Sequence, residues 1–362
     1  MTTIDNALWD AWFDDDRIEP GIVVRLAGVG PEVALVPRIR ELVEQTLAEA
    51  TEHAEALPLV AEVVVTPDGI CLAVVDGEDA RPLLEPLAVR LTSAGVGGVF
   101  VPYPVGAPSF ELDSDLLECR VVLPATHTPA DLPSWRASPG ALRDAVRAAL
   151  SWLAVDDWAR ATVTVGTVPW ATAGPDLVAD LLPVALAASS REGAGIVVRE
   201  HGRFRAVAFL PDEGHLAFAV GPLAATRPPG EVDVARALAA LEACAPWSRY
   251  GFVRRSRGLV GLGAELKLGH EQPDLLTDPT GASQREIEEH RPLDAFGAQL
   301  IARAWRSLVP GERWLDRPTG PADLIVARDL SQWWAAPRPG PQALARGRAD
   351  LAGLLGRGGP VG

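Results

Sequence analysis

Two short spacings in this sequence could hold chemistry. Glu286 and His290 stand four residues apart in a run that opens with the capping box Ser283-Gln284-Arg285-Glu286, so a helix there puts both side chains on one face. A carboxylate and an imidazole at that spacing can share a metal ion or pass a proton. Asp113-Ser114-Asp115 sets two carboxylates two residues apart, the arrangement with which some metal-dependent transferases straddle a cation. An enzyme assembled from dispersed residues would use these four side chains as metal ligands or as acid and base. The same spacings also give ordinary surface hydrogen bonds, and two acids flanking a serine arise easily by chance.

Other catalytic signatures are missing. Gly28-Val29-Gly30 runs directly into Pro31, and Gly261-Leu262-Gly263 has Leu266 where a dinucleotide fold needs its third glycine. Lys267, the only lysine, precedes Leu268, so no phosphate-binding Gly-Lys-Ser/Thr loop exists. No Gly-x-Ser-x-Gly elbow occurs. Cys71, Cys119 and Cys244 are far apart in apolar runs, and the six histidines are scattered, so neither a disulfide framework nor a zinc site is expected. Buried, reduced thiols and a chain without metal or cofactor are the expectation.

Binding residues stand out more clearly. Leu8, Trp9, Trp12 and Phe13 fall on one stripe of a short N-terminal helix capped by Thr3. A helix of a dozen residues is marginal alone and must dock, on its own domain or in the groove of a partner. Eleven tryptophans face only two tyrosines. Trp333-Trp334 are adjacent, and neighbouring residues on a helix do not both enter one core, so one indole is expected to face solvent or a protein partner.

Charge narrows the partner. The chain of 362 residues carries 48 acidic and 33 basic side chains, a formal net charge of −15. Residues 1–250 hold 35 acidic and 18 basic side chains, and residues 251–362 hold 13 and 15. This excludes nucleic-acid binding through net positive charge and favours a partner with a basic surface. No apolar run reaches the roughly 18 residues of a membrane span, and the acidic N-terminus lacks a basic region before an apolar core, so neither membrane insertion nor a signal peptide is expected. Arginine-for-lysine usage with abundant alanine, glycine and proline is that of a GC-rich genome such as an actinobacterium's, and a cytoplasmic location is expected.

The elements that must position these residues read as α+β. A helix over 36–57 precedes strands at 59–66 and 70–75 joined by Pro67-Asp68-Gly69, then a helix at 80–93 and strands at 98–105 and 118–124. After a proline-rich stretch, 125–139, come a helix with Leu142, Val146 and Leu150 on one face, a strand at 161–168, a helix at 175–190, a meander over 196–220 and a helix at 231–244. Beyond 251 the pattern predicts irregular chain, helices from 283 and over 293–308, a strand at 323–327 and a helix at 341–355. Antiparallel hairpins packed against helices are expected, in two similar units (1–125 and 126–250) with a mainly helical region at 251–362.

The run Asp323–Trp334, followed by Pro341–Leu351, resembles the end of an uncharacterised actinobacterial family associated with type VII (ESX-like) secretion loci. The resemblance rests on Ala327-Arg328-Asp329-Leu330, Trp334 and Ala345-Arg346-Gly347-Arg348-Ala349-Asp350. It implies an accessory role beside a secretion machine and no chemistry. With the residue reading, it points to a non-enzymatic adaptor or chaperone-like protein rather than to the dispersed-site enzyme.

Overall fold

The computed structural model describes residues 1–13, 22–51, 59–75, 79–103, 112–123, 125–126, 136–137, 139–170, 174–188, 193–210, 215–224, 227–248, 250–260, 266–268, 294–336 and 339–355. In chain order, the elements begin with β1 (Thr2–Ile4), α1 (Asn6–Phe13), β2 (Ile22–Ala27), α2 (Val36–Thr51), β3 (Leu59–Thr66), β4 (Gly69–Val75), α3 (Arg81–Ser93) and β5 (Gly98–Pro102). They continue with β6 (Leu112–Val122), β7 (Ala125–Thr126), β8 (Arg136–Ala137), α4 (Pro139–Leu153), β9 (Ala161–Val165), β10 (Val168–Pro169), α5 (Pro175–Ala188), β11 (Ala194–Glu200), β12 (Arg203–Leu210) and β13 (His215–Gly221). Last come α6 (Glu231–Cys244), β14 (Gly251–Val260), β15 (Leu266–Leu268), β16 (Ala298–Ala302), β17 (Trp314–Pro318), β18 (Ala322–Ala327), α7 (Leu330–Trp334) and α8 (Pro341–Asp350). The fold is α+β, with largely antiparallel sheets.

The chain divides into two compact units whose boundaries differ from those expected at 125 and 250. Each unit is built from two stretches: residues 1–108 with 163–192, and residues 109–162 with 193–362.

In the first unit five strands lie in the order β1-β5-β2-β4-β3, with β1 parallel to β5 and the others antiparallel. The hairpin of β3 and β4 forms around Pro67-Asp68-Gly69 as expected, and its β-branched residues Val63, Val64, Val65 and Ile70 are buried. Helix α2 buries Val36, Ile39 and Val43, and α3 buries Leu83, Leu84, Leu87 and Leu91, an apolar stripe on each.

In the second unit the order is β11-β12-β13-β6-β14-β16-β18-β17, and β15 pairs with β14. The meander of β11, β12 and β13 follows the expected turns. Residues facing each other in register share a face, so Phe218, Cys119 and Val253 point to one side of this sheet. Trp152 of α4 meets Phe218 edge-on at 5.4 Å, which places α4 over that side. Glu118, Arg120, Phe252 and Arg254 stand on the opposite side.

The C-terminal region departs from its expected helical character by supplying five strands, β14 to β18. Leu300 and Ile301 are consecutive and both fully buried, because β16 is flanked by β14 and β18 and covered on both faces. A short apolar run buried on both faces has no alternation to betray it, and its leucines then fit a helical period equally well. Only Arg303–Leu308 within the expected 293–308 helix is helical, as a 3-10 turn.

Candidate functional site

Of the four residues of the dispersed-site reading, Asp115 is the one whose side chain lies among the described residues. Asp113-Ser114-Asp115 lies within β6, not in a loop, where Asp113 is in register with Leu259. The Asp113 side chain, Glu286 and His290 lie outside the described residues. The Asp115 carboxylate is spent on Arg255, which donates to it from Nη2 at 2.8 Å. Among the described residues no group of three or more His, Cys, Asp or Glu could hold a metal ion.

The N-terminal stripe is divided. Leu8 is 48% exposed, but Trp9 is fully buried and donates from its indole N–H to the Phe100 carbonyl at 3.2 Å. Parallel pairing of β1 with β5 lays α1 against β5, so Trp9 belongs to the core of its own unit, a correction to its expected role as a partner anchor. The side chains of Trp12 and Phe13 lie outside the described residues.

Trp333 and Trp334 also correct the expectation of one exposed indole: they are 4% and 2% exposed. Helix α7 is only five residues long and is enclosed from more than one side, so consecutive side chains both find cover. Trp333 fits between Gly297 and Gly347, where an added Cβ would lie 2.7 and 2.5 Å from its atoms. Its ring also meets Trp314 at 6.1 Å.

Beside these indoles lies a buried polar network that the sequence reading did not single out. Glu118 is fully buried in β6, with Arg254 of β14 directly opposite in register. Arg254 Nε and Ser256 Oγ each donate to Glu118 Oε2 at 2.8 Å, and Arg120 Nε donates to Oε1. Burial opposes ionisation of Glu118, but the Arg254 and Arg120 guanidinium groups outweigh it and hold its carboxyl at about 2. Strand alternation sends Arg255 to the other face, where it gathers loop ends. Its Nη1 donates to the carbonyls of Arg227, Trp334 and Ala335, and its Nη2 to Ala224 as well as Asp115. The available signal was Glu118-Cys119-Arg120, two charges inside an otherwise apolar strand, since such residues are almost never buried unless paired.

Arg254, Phe296, Trp333, Trp334 and Leu344 line a cavity of about 760 Å³ that also meets Val253, Arg255 and Arg348. Phe296 stacks on Phe252 at 4.0 Å, and the Arg254 guanidinium lies 5.8 Å from the Phe252 ring centre. Helix α8 closes one wall, held by Arg348, whose Nε and Nη2 grip the buried Asp294 at 2.9 and 2.7 Å. At the far side of α8, Asp350 accepts from Arg313 and from the Trp314 indole at 3.2 Å. The described residues that line the cavity include no acid, imidazole, hydroxyl or thiol. Burial pushes the Cys71 thiol up to about 12 and holds Cys119 and Cys244 well above the usual thiol range, so none of the three is a ready nucleophile. No protein-family model and no curated protein matches this chain.

No helix among the described residues is long and apolar enough to cross a membrane.

Proposed function

We propose that this chain is a non-enzymatic adaptor, a chaperone-like accessory protein that acts in the cytoplasm by holding part of a protein partner. The observation that carries this reading is the cavity beside α8. It has the volume of a ligand site, aromatic walls and arginine side chains among its described residues. Tryptophan and arginine are the residues that most often anchor protein contacts. Three free, buried cysteines suit a reducing compartment. The net charge of −15 favours a partner with a basic surface and disfavours nucleic acid. The likeness of residues 323–350 to a family of type VII (ESX-like) secretion loci is in keeping with an accessory role beside such a system.

The test is affinity capture from the native host with quantitative mass spectrometry, comparing the natural chain with Ala345→Trp. Ala345 is exposed on α8 and lines the cavity, so an indole there takes up space that a bound segment would need. A partner recovered with the natural chain and lost with a variant of unchanged circular dichroism supports the reading. An identical set of partners from both proteins overturns it.

A further inference from the structure

Helix α5 is apolar on two sides and covered on one. Val178, Leu182, Ala185 and Leu186 are buried in the core of its unit. Leu177, Leu181, Val184 and Ala188 follow at steps of four, three and four residues and line up as a second stripe along the helix. Leu177 and Val184 are 37% and 41% exposed, and Leu181 and Ala188 are partly exposed. A helix apolar round so much of its surface is ordinarily buried on all of it. Helix α2 of the same unit shows the usual alternative, with Arg38, Glu41, Glu44, Gln45 and Glu49 where it meets solvent. A row of apolar side chains held in solvent at the spacing of a coiled-coil seam marks a surface made to receive another helix.

The chemistry of that second helix follows from the border of the stripe. Asp180 lies along one edge, with Asp176 a turn before it, and both are exposed. Neither carboxylate makes an ion pair or a hydrogen bond among the described residues. Helix α5 contains no lysine or arginine, and neither do β3 and the 3-10 turn Val33–Leu35, on which it packs. The border is therefore acidic, without a cation of its own, and attracts a base from outside. A second copy of this chain would set α5 against α5 and leave the carboxylates of both unmatched. An anionic lipid surface would be repelled.

We propose, resting on the adaptor reading above, that α5 is a docking surface separate from the cavity and takes a basic amphipathic helix of a protein partner. The apolar seam of that helix lies along Leu177, Leu181, Val184 and Ala188, and lysine or arginine on its flank pairs with Asp176 and Asp180.

Fluorescence polarisation with labelled peptides of about five helical turns tests this. One peptide carries leucine along its seam and lysine on its flanks, one has glutamate for each lysine, and one is a scrambled form of the first. The lysine peptide is expected to bind the full chain at least about tenfold more tightly than either of the others. Leu177→Lys combined with Val184→Lys, checked for unchanged circular dichroism and urea midpoint, is expected to lose that margin. Asp176→Asn combined with Asp180→Asn is expected to weaken the lysine peptide by at least about threefold at low salt and less at high salt. A scrambled or glutamate peptide that binds as tightly, no binding of any peptide, or an unchanged affinity in the Leu177→Lys, Val184→Lys chain overturns the proposal. So does loss of the peptide in Ala345→Trp, which would place it in the cavity beside α8. Dimerisation of the natural chain that the two lysine substitutions abolish also overturns it, since the face then belongs to a second copy. If the peptides fail while Ala345→Trp still strips a partner in the capture experiment, the adaptor reading stands without α5.

Discussion

Glu118 and Arg254 face each other across neighbouring strands and meet at 2.8 Å in the interior of the second unit. Removing one member of a buried ion pair costs about 3–5 kcal/mol, because the other is left uncompensated. The Glu118 carboxyl lies at about 2, below its ordinary 4.5, so its contribution to stability is complete above the ordinary value and is lost as the pH falls towards 2. Glu118→Gln is therefore expected to weaken the fold strongly at pH 7 and progressively less between pH 5 and 3. Urea unfolding across that range checks this, and a difference that stays constant with pH would refute the pairing.

Trp333 depends on the absence of a side chain at Gly347. Alanine is the better helix former by about 1 kcal/mol, yet an added Cβ would lie 2.5 Å from the Trp333 ring. Gly347→Ala is expected to destabilise by about 1–3 kcal/mol, against the helix preference. Trp333→Ala and Trp334→Ala should each cost about 3–5 kcal/mol, whereas Leu8→Ala, at an exposed position, should stay within about 0.5 kcal/mol. Denaturant midpoints decide it. A stabilised Gly347→Ala would mean that the indole does not occupy this slot.

All three thiols are buried, with burial the main force raising each of them. Native protein at pH 8 is expected to react with a thiol reagent at less than one group per chain, and at three after unfolding in guanidinium. Fast labelling of any one cysteine in the native state would contradict its burial.

What was legible in the sequence was the local and the periodic. The hairpin of β3 and β4 carries Pro67-Asp68-Gly69 between β-branched runs, and α6 ends as expected at Cys244. Strand β14 was not legible, because Arg254 and Arg255 look like exposed chain until Glu118 and Asp115 are brought across from β6. Glu118 and Arg254 are 136 residues apart, and no local pattern encodes their meeting. The burial of both Trp333 and Trp334 was hidden for the same reason. It depends on Gly297 and Gly347, which neighbour Trp333 in space and lie outside its helix. The cavity is built from β14, the segment before β16, α7 and α8, and is therefore a property of the fold alone.

The interrupted make-up of the first unit carries a consequence for biosynthesis. Its sheet strands are all translated by Pro102, but β9, β10 and α5 arrive only after the intervening 109–162 stretch, which belongs to the other unit. A nascent chain therefore holds an unfinished hydrophobic surface while some eighty residues leave the ribosome, several seconds at the usual pace of elongation. Neither unit can be inherited, swapped or expressed as one uninterrupted stretch of gene. Any recombination breakpoint between codons 109 and 192 severs at least one of them, so evolution is constrained to pass the two on together.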